Sequence, residues 1–580
     1  MSIKKPPTEL QTAVAELRPY FIRAGWFGLF SCLLVLMPSW YMLEVYDRVV
    51  NSRSSMTLAM LTVLVMGAYV VMEMLEWARS EVMHEGGMAL DAKLRRRVFA
   101  AIFEANLRRL PGGTTQPLND LRTVRDFLHS PVLLGAMESP VSLVFLVLIF
   151  FINPLLGWVT MATAVVQVFV GWLNERSTQP PLAAANRTAI AAQQYADGTL
   201  RNAQVIESMG MVRDIHSRWM AKQREFLGLQ ALASDRAGGY QAVSKLLQNT
   251  VSSALLGLSC YLLLHNELHG GGGMLIISGI LGGRVLAPLV MVVTQWRTVV
   301  NVRDAWGRLE QLLTALPAKP AGMALPAPKG FLTVENLVAG APNNPAPILR
   351  GVNFAIAPGE VLAVVGPSAS GKTTLARLLV GSWSAAGGKV RLDGADVFTW
   401  DKAELGPHIG YLPQGVELFE GTLAENIARF GDLDMTRVRA AAQAVGLHEF
   451  ILQLPQGYDN PVGSDGAMLS GGQRQRVGLA RAIYGDPVFV VLDEPNSSLD
   501  EAGDAALARA ITELKSRGTT FVVMTHRTSV LAVADKMLLL RDGQQQAFGP
   551  RDDVIAAINK ANAQAQAAAQ QAAQPAAAAA

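Results

Sequence analysis

Six apolar stretches lie before residue 301, near 22–43, 57–75, 132–152, 155–173, 247–264 and 274–299, and each is close to the length that crosses about 30 Å of hydrocarbon. Nothing constrains this chain more, because backbone N–H and C=O groups in lipid must be satisfied within the segment. An apolar segment of that length is therefore a helix. A hydrophobic content of 50% and a mean hydropathy of +0.25 agree with a chain that is partly membrane-embedded. The first apolar run, from about Phe21, is too long for a removable leader and lacks a small-residue cleavage site, so it reads as an anchor. Asn153-Pro154 separates the third and fourth runs and predicts a tight turn. Two long polar connections, 76–131 and 174–246, carry nine Lys/Arg each, against two in 44–56 and none in 265–273. The excess of positive charge places both long connections, the N-terminus and everything after residue 300 on the cytoplasmic side.

Both connections have helical spacing with few breakers, for example 91–99 and 208–232, which predicts membrane helices that run on beyond the bilayer. The same spacing fits solvated surface helices. Breaks at 111–117, followed by 118–126, and at 206–211 are the candidate tips of these arms. Arg284 lies about ten residues into the sixth run. An ionisable group there either lines a pathway or gate, or snorkels or pairs with another helix, and Pro288 can kink the same helix. Cys32 and Cys260 sit far apart in apolar runs with no metal-type spacing, and read as packing residues. A net charge of +3 over 580 residues implies no nucleic-acid partner.

After residue 316 the composition turns to ALPAKPAGMALPAPKG, a semi-rigid spacer. Residues 331 to about 556 alternate short apolar strands with helices, as in an α/β domain with a largely parallel sheet. The remainder, almost all Ala and Gln, has no apolar stripe to bury and predicts a disordered tail. Within the α/β region, GPSASGKTT comprises Gly366, Pro367, Ser368, Ala369, Ser370, Gly371, Lys372, Thr373 and Thr374. It follows the β-branched run VLAVV and precedes a helical pattern, the context of a phosphate-binding loop. Its glycines let N–H groups converge on phosphate oxygens, Lys372 reaches the outer phosphates, and the Thr373 hydroxyl suits Mg²⁺.

A second apolar strand ends in Asp493 and Glu494. Asp493 is placed to hold the Mg²⁺ shell and Glu494 to polarise an attacking water, because phosphoryl transfer needs positioning and charge neutralisation. Upstream, Ser470, Gly471, Gly472 and Gln473 of LSGGQ open a helix, and a hydroxyl, glycine N–H groups and a positive helix end together make a second anion site.

LSGGQ about twenty residues before a strand ending Asp-Glu, after a phosphate loop about a hundred residues earlier, resembles the ATPase domain of ATP-binding-cassette proteins. The resemblance implies a Q-loop role for Gln414, which touches Mg²⁺ and reports to the membrane domain. It likewise implies a D-loop at 497–500 ending in Asp500, and a switch histidine, His526, at the γ-phosphate. The implied assembly is a head-to-tail homodimer in which the LSGGQ of one chain closes on ATP held by the other. Two departures stand out. Ala369 occupies a usual glycine position and is tolerated there if its φ is negative. No aromatic occurs at 337–342, where the family's adenine-stacking residue belongs.

The chain thus reads as multidomain: a cytoplasmic segment 1–21, an all-α six-span bundle 22–312 of the exporter type, a linker 313–330, an α/β ATPase domain 331–556 and a tail 557–580. The stretches at 45–54 and 282–288 further resemble the permease/ATPase subunits of type I secretion systems. With no peptidase-like domain fitting before residue 22, the protease- and lipase-secretion branch is the nearer one. That resemblance implies an inner-membrane protein, in contact with membrane lipid, that exports an unfolded polypeptide bearing an uncleaved C-terminal signal. Its implied partners are a periplasmic membrane-fusion adaptor and an outer-membrane channel. Export of lipids or hydrophobic small molecules is the alternative. A nucleotide-gated channel fits less well, because gating alone has no use for the hydrolytic base Glu494.

Overall fold

The computed structural model describes residues 7–268, 273–318, 324–342, 344, 346–463, 466 and 468–560. The expected tail 557–580 is helical over 557–560, and its remainder from Ala561 and part of the expected linker, 319–323, lie outside the described residues. Two compact units divide at Ala318/Lys319.

Among the described residues of the first unit, six helices are long and apolar enough to cross a membrane: Arg18–Glu44, Ser55–Leu107, Gln116–Ile152, Pro154–Leu200, Val212–Leu264 and Met274–Thr294. Two of these have 53 residues, about 80 Å at 1.5 Å per residue, so each extends far past the hydrocarbon. The arms are therefore helical, as their spacing predicts. Their tips fall at the predicted breaks. Gly112, at φ +95°, turns the chain into the helix Gln116–Phe127, and a six-residue helix, Ala203–Ser208, interrupts the second arm. Asn153 makes the predicted turn with extended backbone, and its side chain accepts from Leu155 N–H at 2.8 Å, capping the helix that Pro154 begins.

The first span is less regular than its sequence suggests: it bends at Val35 and Leu36, then passes through a π-helical turn at Val45–Val49. The sixth stops at Thr294 rather than continuing to 299. A separate amphipathic helix, Trp296–Ala315, begins where charged residues return, and it buries Leu309, Leu312 and Leu313, so helix replaces linker at 313–315.

Small residues bring the spans together. Ser259 and Ser278 share a buried hydroxyl–hydroxyl hydrogen bond of 2.7 Å, and Gly279 lies under the Ser252 carbonyl. Apolar side chains of the second span, such as Val63, Met60 and Val70, face outward, as lipid contact requires. Arg284 opens on a cavity of about 230 Å³ lined also by Ser31, Glu76, Glu138 and Pro288. Deeper in, Arg79 is 3% exposed and donates to Glu138 at 2.8 Å.

Outside the lipid-length runs, the tip helix Gln116–Phe127 is tied to Trp296–Ala315 by a two-pronged ion pair. Arg308 Nε and Nη2 donate to Asp120 at 2.9 and 2.7 Å, and Asp120 is 2% exposed.

The second unit holds two sheets. An antiparallel one has the order β2-β1-β4-β5, formed by Leu332–Gly340 (β1), Pro347–Ile356 (β2), Gly387–Leu392 (β4) and Ala395–Asp396 (β5). The other has the order β10-β9-β3-β8-β7-β6, with Val361–Val365 (β3), Ile409–Leu412 (β6), Phe489–Asp493 (β7), Thr520–Met524 (β8), Lys536–Arg541 (β9) and Gln544–Pro550 (β10). Every pairing among β9, β3, β8, β7 and β6 is parallel, and only β10 runs antiparallel to its neighbour. The runs VLAVV, FVVLD and TFVVM are almost wholly buried, because helices cover both faces of such a sheet.

Removing Arg308 takes the countercharge from the buried Asp120 carboxylate and leaves it the neutral Gln116 amide. Arg308→Met will destabilise the protein by about 3 kcal/mol, and Asp120→Leu combined with Arg308→Met will recover most of that loss. Thermal unfolding of the detergent-solubilised protein measures both.

Candidate active site

In a parallel sheet all strands end on one edge, and ligands bind in the crevice beyond their carboxyl ends. The segments predicted to carry chemistry leave four adjacent strands at that edge. The loop 366–374 follows β3, His526 follows β8 by two residues, Asp493 ends β7 with Glu494 next to it, and Gln414 lies two residues past β6. Residues far apart in sequence are thereby gathered by strand order alone.

The loop turns into the helix Lys372–Leu379 at Gly371, whose φ of +100° lies in the left-handed region and whose added Cβ would meet Leu349 Cδ2 at 2.7 Å. Only glycine fits there. Pro367, Ser368 and Ala369 are exposed at the crest, whereas Ser370, Lys372 and Thr374 are buried. Ala369 has φ +65°, so the negative φ on which its tolerance depends is not met, and the position is strained for any residue but glycine. Lys372 folds back on the loop and donates to the carbonyls of Gly366 at 2.6 Å and Pro367 at 3.0 Å. Burial lowers its pKa, while Glu494 and Asp493 pull the other way.

Asp493 is fully buried, and apart from the neighbouring Thr373 hydroxyl neither carboxylate oxygen has a hydrogen-bond partner among the described residues. Burial pushes its pKa up from the usual carboxylate value. The Thr373 hydroxyl opposes this, the Glu494 charge adds to it, and Arg377 and Lys372 oppose it. An unsatisfied buried carboxylate beside a threonine hydroxyl is an all-oxygen donor set suited to a hard divalent cation. Glu494 has φ +51°. Its N–H donates to the Met524 carbonyl at 3.0 Å, and its carboxylate accepts from Gln414 Nε2 at 3.1 Å. Gln414 and Glu494 are therefore joined directly. His526 is exposed at the same edge.

Ser470 caps the helix Gly471–Ile483 through a reciprocal capping box, accepting from Gln473 N–H at 3.3 Å while Gln473 Oε1 accepts from Ser470 N–H at 2.8 Å. The hydroxyl predicted to meet phosphate is thus already an acceptor within its own chain, which leaves its proton to donate. Among the described residues no hydrogen bond joins 470–473 to the loop 366–374. Asp500 caps the helix Glu501–Ser516 by accepting from Gly503 N–H at 2.9 Å, and pairs with Arg476 at 2.5 Å. Gln475, absent from the sequence-based site, is 3% exposed and touches the Glu494 backbone. Its signal was a polar residue on the buried face of an amphipathic helix, with Leu479 and Ala482 four and seven positions on.

Comparison with known proteins agrees with this architecture. Residues 21–285 match the family model described as ABC transporter transmembrane region, and residues 349–497 match the one described as ABC transporter. The chain is 39% identical, over 94% of its own length and 94% of the relative's, to the type I secretion system ATP-binding protein PrsD of Rhizobium meliloti (strain 1021). It is 27% identical to the toxin RTX-I translocation ATP-binding protein of Actinobacillus pleuropneumoniae, over 94% of this chain and 78% of that one. The solved structure of a bacterial Atm1-family ABC exporter with ATP bound shares the fold, with a TM-score of 0.82 and 24% identity over 97% of this chain and 99% of that chain.

Two outcomes follow for the site. Ala369→Gly will relieve the left-handed strain and stabilise the protein by about 1 kcal/mol, whereas Ala369→Val will destabilise it, as thermal unfolding will read out. For Asp493, below the ordinary carboxylate pKa of about 4 the group is protonated both folded and unfolded. As pH rises through the raised folded pKa, its buried charge destabilises the metal-free fold. Asp493→Asn will therefore raise the metal-free unfolding midpoint at pH 7, a gain that vanishes near pH 4.

Proposed function

The chain belongs to the ABC transporter family, whose ATP hydrolysis is coupled to transport, and from that premise we propose that it exports an unfolded polypeptide bearing an uncleaved C-terminal signal, as the inner-membrane ATPase of a type I secretion system. One observation carries this reading: 39% identity, over 94% of both chains, to a type I secretion ATP-binding protein. Correspondence of that extent spans the membrane region that meets cargo as well as the ATPase that all ABC transporters share.

In this reading the N–H groups of 366–374 cradle the ATP phosphates and Lys372 leaves its own loop carbonyls for the β- and γ-phosphates. Thr373, Asp493 and, through its side-chain amide, Gln414 hold Mg²⁺, which neutralises phosphate charge when bound. The unsatisfied oxygens of Asp493 support that assignment. Glu494 polarises the attacking water, and His526 contacts the γ-phosphate. Ser470, Gly471, Gly472 and Gln473 face the nucleotide of a second copy. Asp500 closes the D-loop at the same dimer junction. With each motif intact, two identical chains form two competent sites.

The N-terminus, both arm tips and the ATPase unit lie in the cytoplasm. Arg284, at its cavity with Glu76 and Glu138, provides a polar stretch of the transport path. A periplasmic adaptor and an outer-membrane channel complete the route.

Lys372→Ala will abolish ATP binding, and Glu494→Gln will bind ATP but turn over at least a hundredfold more slowly. In cells, deleting the gene will remove one or more polypeptides from the culture medium, and only the wild-type gene will restore them. An unchanged secreted proteome, together with ATPase activity stimulated by hydrophobic small molecules, would favour the lipid or drug exporter instead.

A further inference from the structure

Gln475 lies on the helix Gly471–Ile483, two residues past the LSGGQ run, and its side chain is buried. Its amide makes three contacts with one short segment. Nε2 donates to the carbonyls of Glu494 at 3.1 Å and Pro495 at 2.7 Å, and Oε1 accepts from the Ser497 hydroxyl at 3.1 Å. Donor and acceptor are both used, so the amide has one satisfied orientation.

The same helix grips that segment at two further points. Gly472 approaches so closely that an added Cβ would stand 2.8 Å from the Ser498 carbonyl oxygen, and Arg476 pairs with Asp500 at 2.5 Å. Contacts from 472, 475 and 476 thus reach five of the seven positions from 494 to 500.

Glu494 needs such support. At φ +51° it sits in the left-handed region, where a residue with a Cβ is disfavoured by about 1–2 kcal/mol, and such a conformation persists only when its surroundings hold it. The Met524 carbonyl fixes its N–H from the β8 side. Gln475 fixes its C=O from the other side, so the peptide units flanking Glu494 are clamped between strand and helix.

We propose that Gln475 is a positioning residue for ATP hydrolysis, holding Glu494 in the left-handed turn that aims its carboxylate and linking that turn rigidly to the LSGGQ helix. This rests on the assignment of Glu494 to water polarisation and of 470–473 to the partner's nucleotide. One chain contributes Glu494 to one composite site and LSGGQ to the other. The Gln475 bridge therefore makes the two contributions move together, so engagement of LSGGQ at one site sets Glu494 at the other.

The test uses full-length protein in lipid nanodiscs. Gln475→Met keeps the side-chain length and removes the three bonds, whereas Gln475→Asn keeps the amide one methylene short. Expected for Gln475→Met is a kcat lowered on the order of tenfold or more, with KM for ATP and ATP affinity within about twofold of wild type; Gln475→Asn will lie between. A protein that merely unfolds would lose ATP binding as well.

Wild-type kcat in folded Gln475→Met, with Glu494→Gln inactive, overturns the positioning role alone. Wild-type turnover in Glu494→Gln overturns the assignment beneath it, and this proposal with it. In mixed dimers of one wild-type and one Gln475→Met chain, the rate will fall well below half of wild type, because one bridge serves both sites. A rate of half or more overturns the link between sites.

Discussion

A carboxylate buried at the end of a parallel strand, with a threonine hydroxyl beside it and no cationic hydrogen-bond partner among the described residues, is the constraint on which the strand-edge site depends. Isolated, such a charge is among the most unfavourable features a protein interior can carry, and its pKa rises accordingly. Asp493 is held in place by the strand pairing of β7 with β8 and β6, which also delivers the loop 366–374, Gln414 and His526 to the same edge. At that edge Lys372 turns inward onto carbonyls of its own loop, and Gln414 binds Glu494.

The first unit answers a different physical demand with a similar economy. Lipid forces every spanning segment to be helical, and two of the helices continue for 53 residues because nothing in their sequence stops them at the bilayer surface. Close approach of the spans uses small residues and a hydroxyl pair beside a cluster of large apolar side chains such as Phe145, Ile149 and Leu255. Charge appears where packing can match it, in Asp120 with Arg308 and in Arg79 with Glu138.

Much of this was legible before any coordinates. The spans, the arm helices, the Asn153-Pro154 turn and the breaks at both tips follow from local composition, since helix formation and its interruption are short-range effects. The end of the sixth span was not. Val299 extends the apolar run past Arg297, whereas the helix breaks at Gln295 and a second, amphipathic helix begins at Trp296. Ala369 is the clearest miss. Its tolerance depended on the sign of φ, and the loop is shaped by Gly371, Leu349 and the buried Lys372, none of which a residue type at 369 can reveal.

Sequence alone determined which chemistry is present: a phosphate loop, a strand ending in two carboxylates, a capped glycine helix and six membrane-length runs, each defined by residues a few positions apart. Only the tertiary structure decided which groups meet. That Gln414 reaches Glu494, that Asp493 is fully buried beside Thr373, and that Gln475 clamps the turn beyond β7 all depend on strand order and helix placement, because those partners come together through a sheet whose pairing joins residues that are tens of positions or more apart.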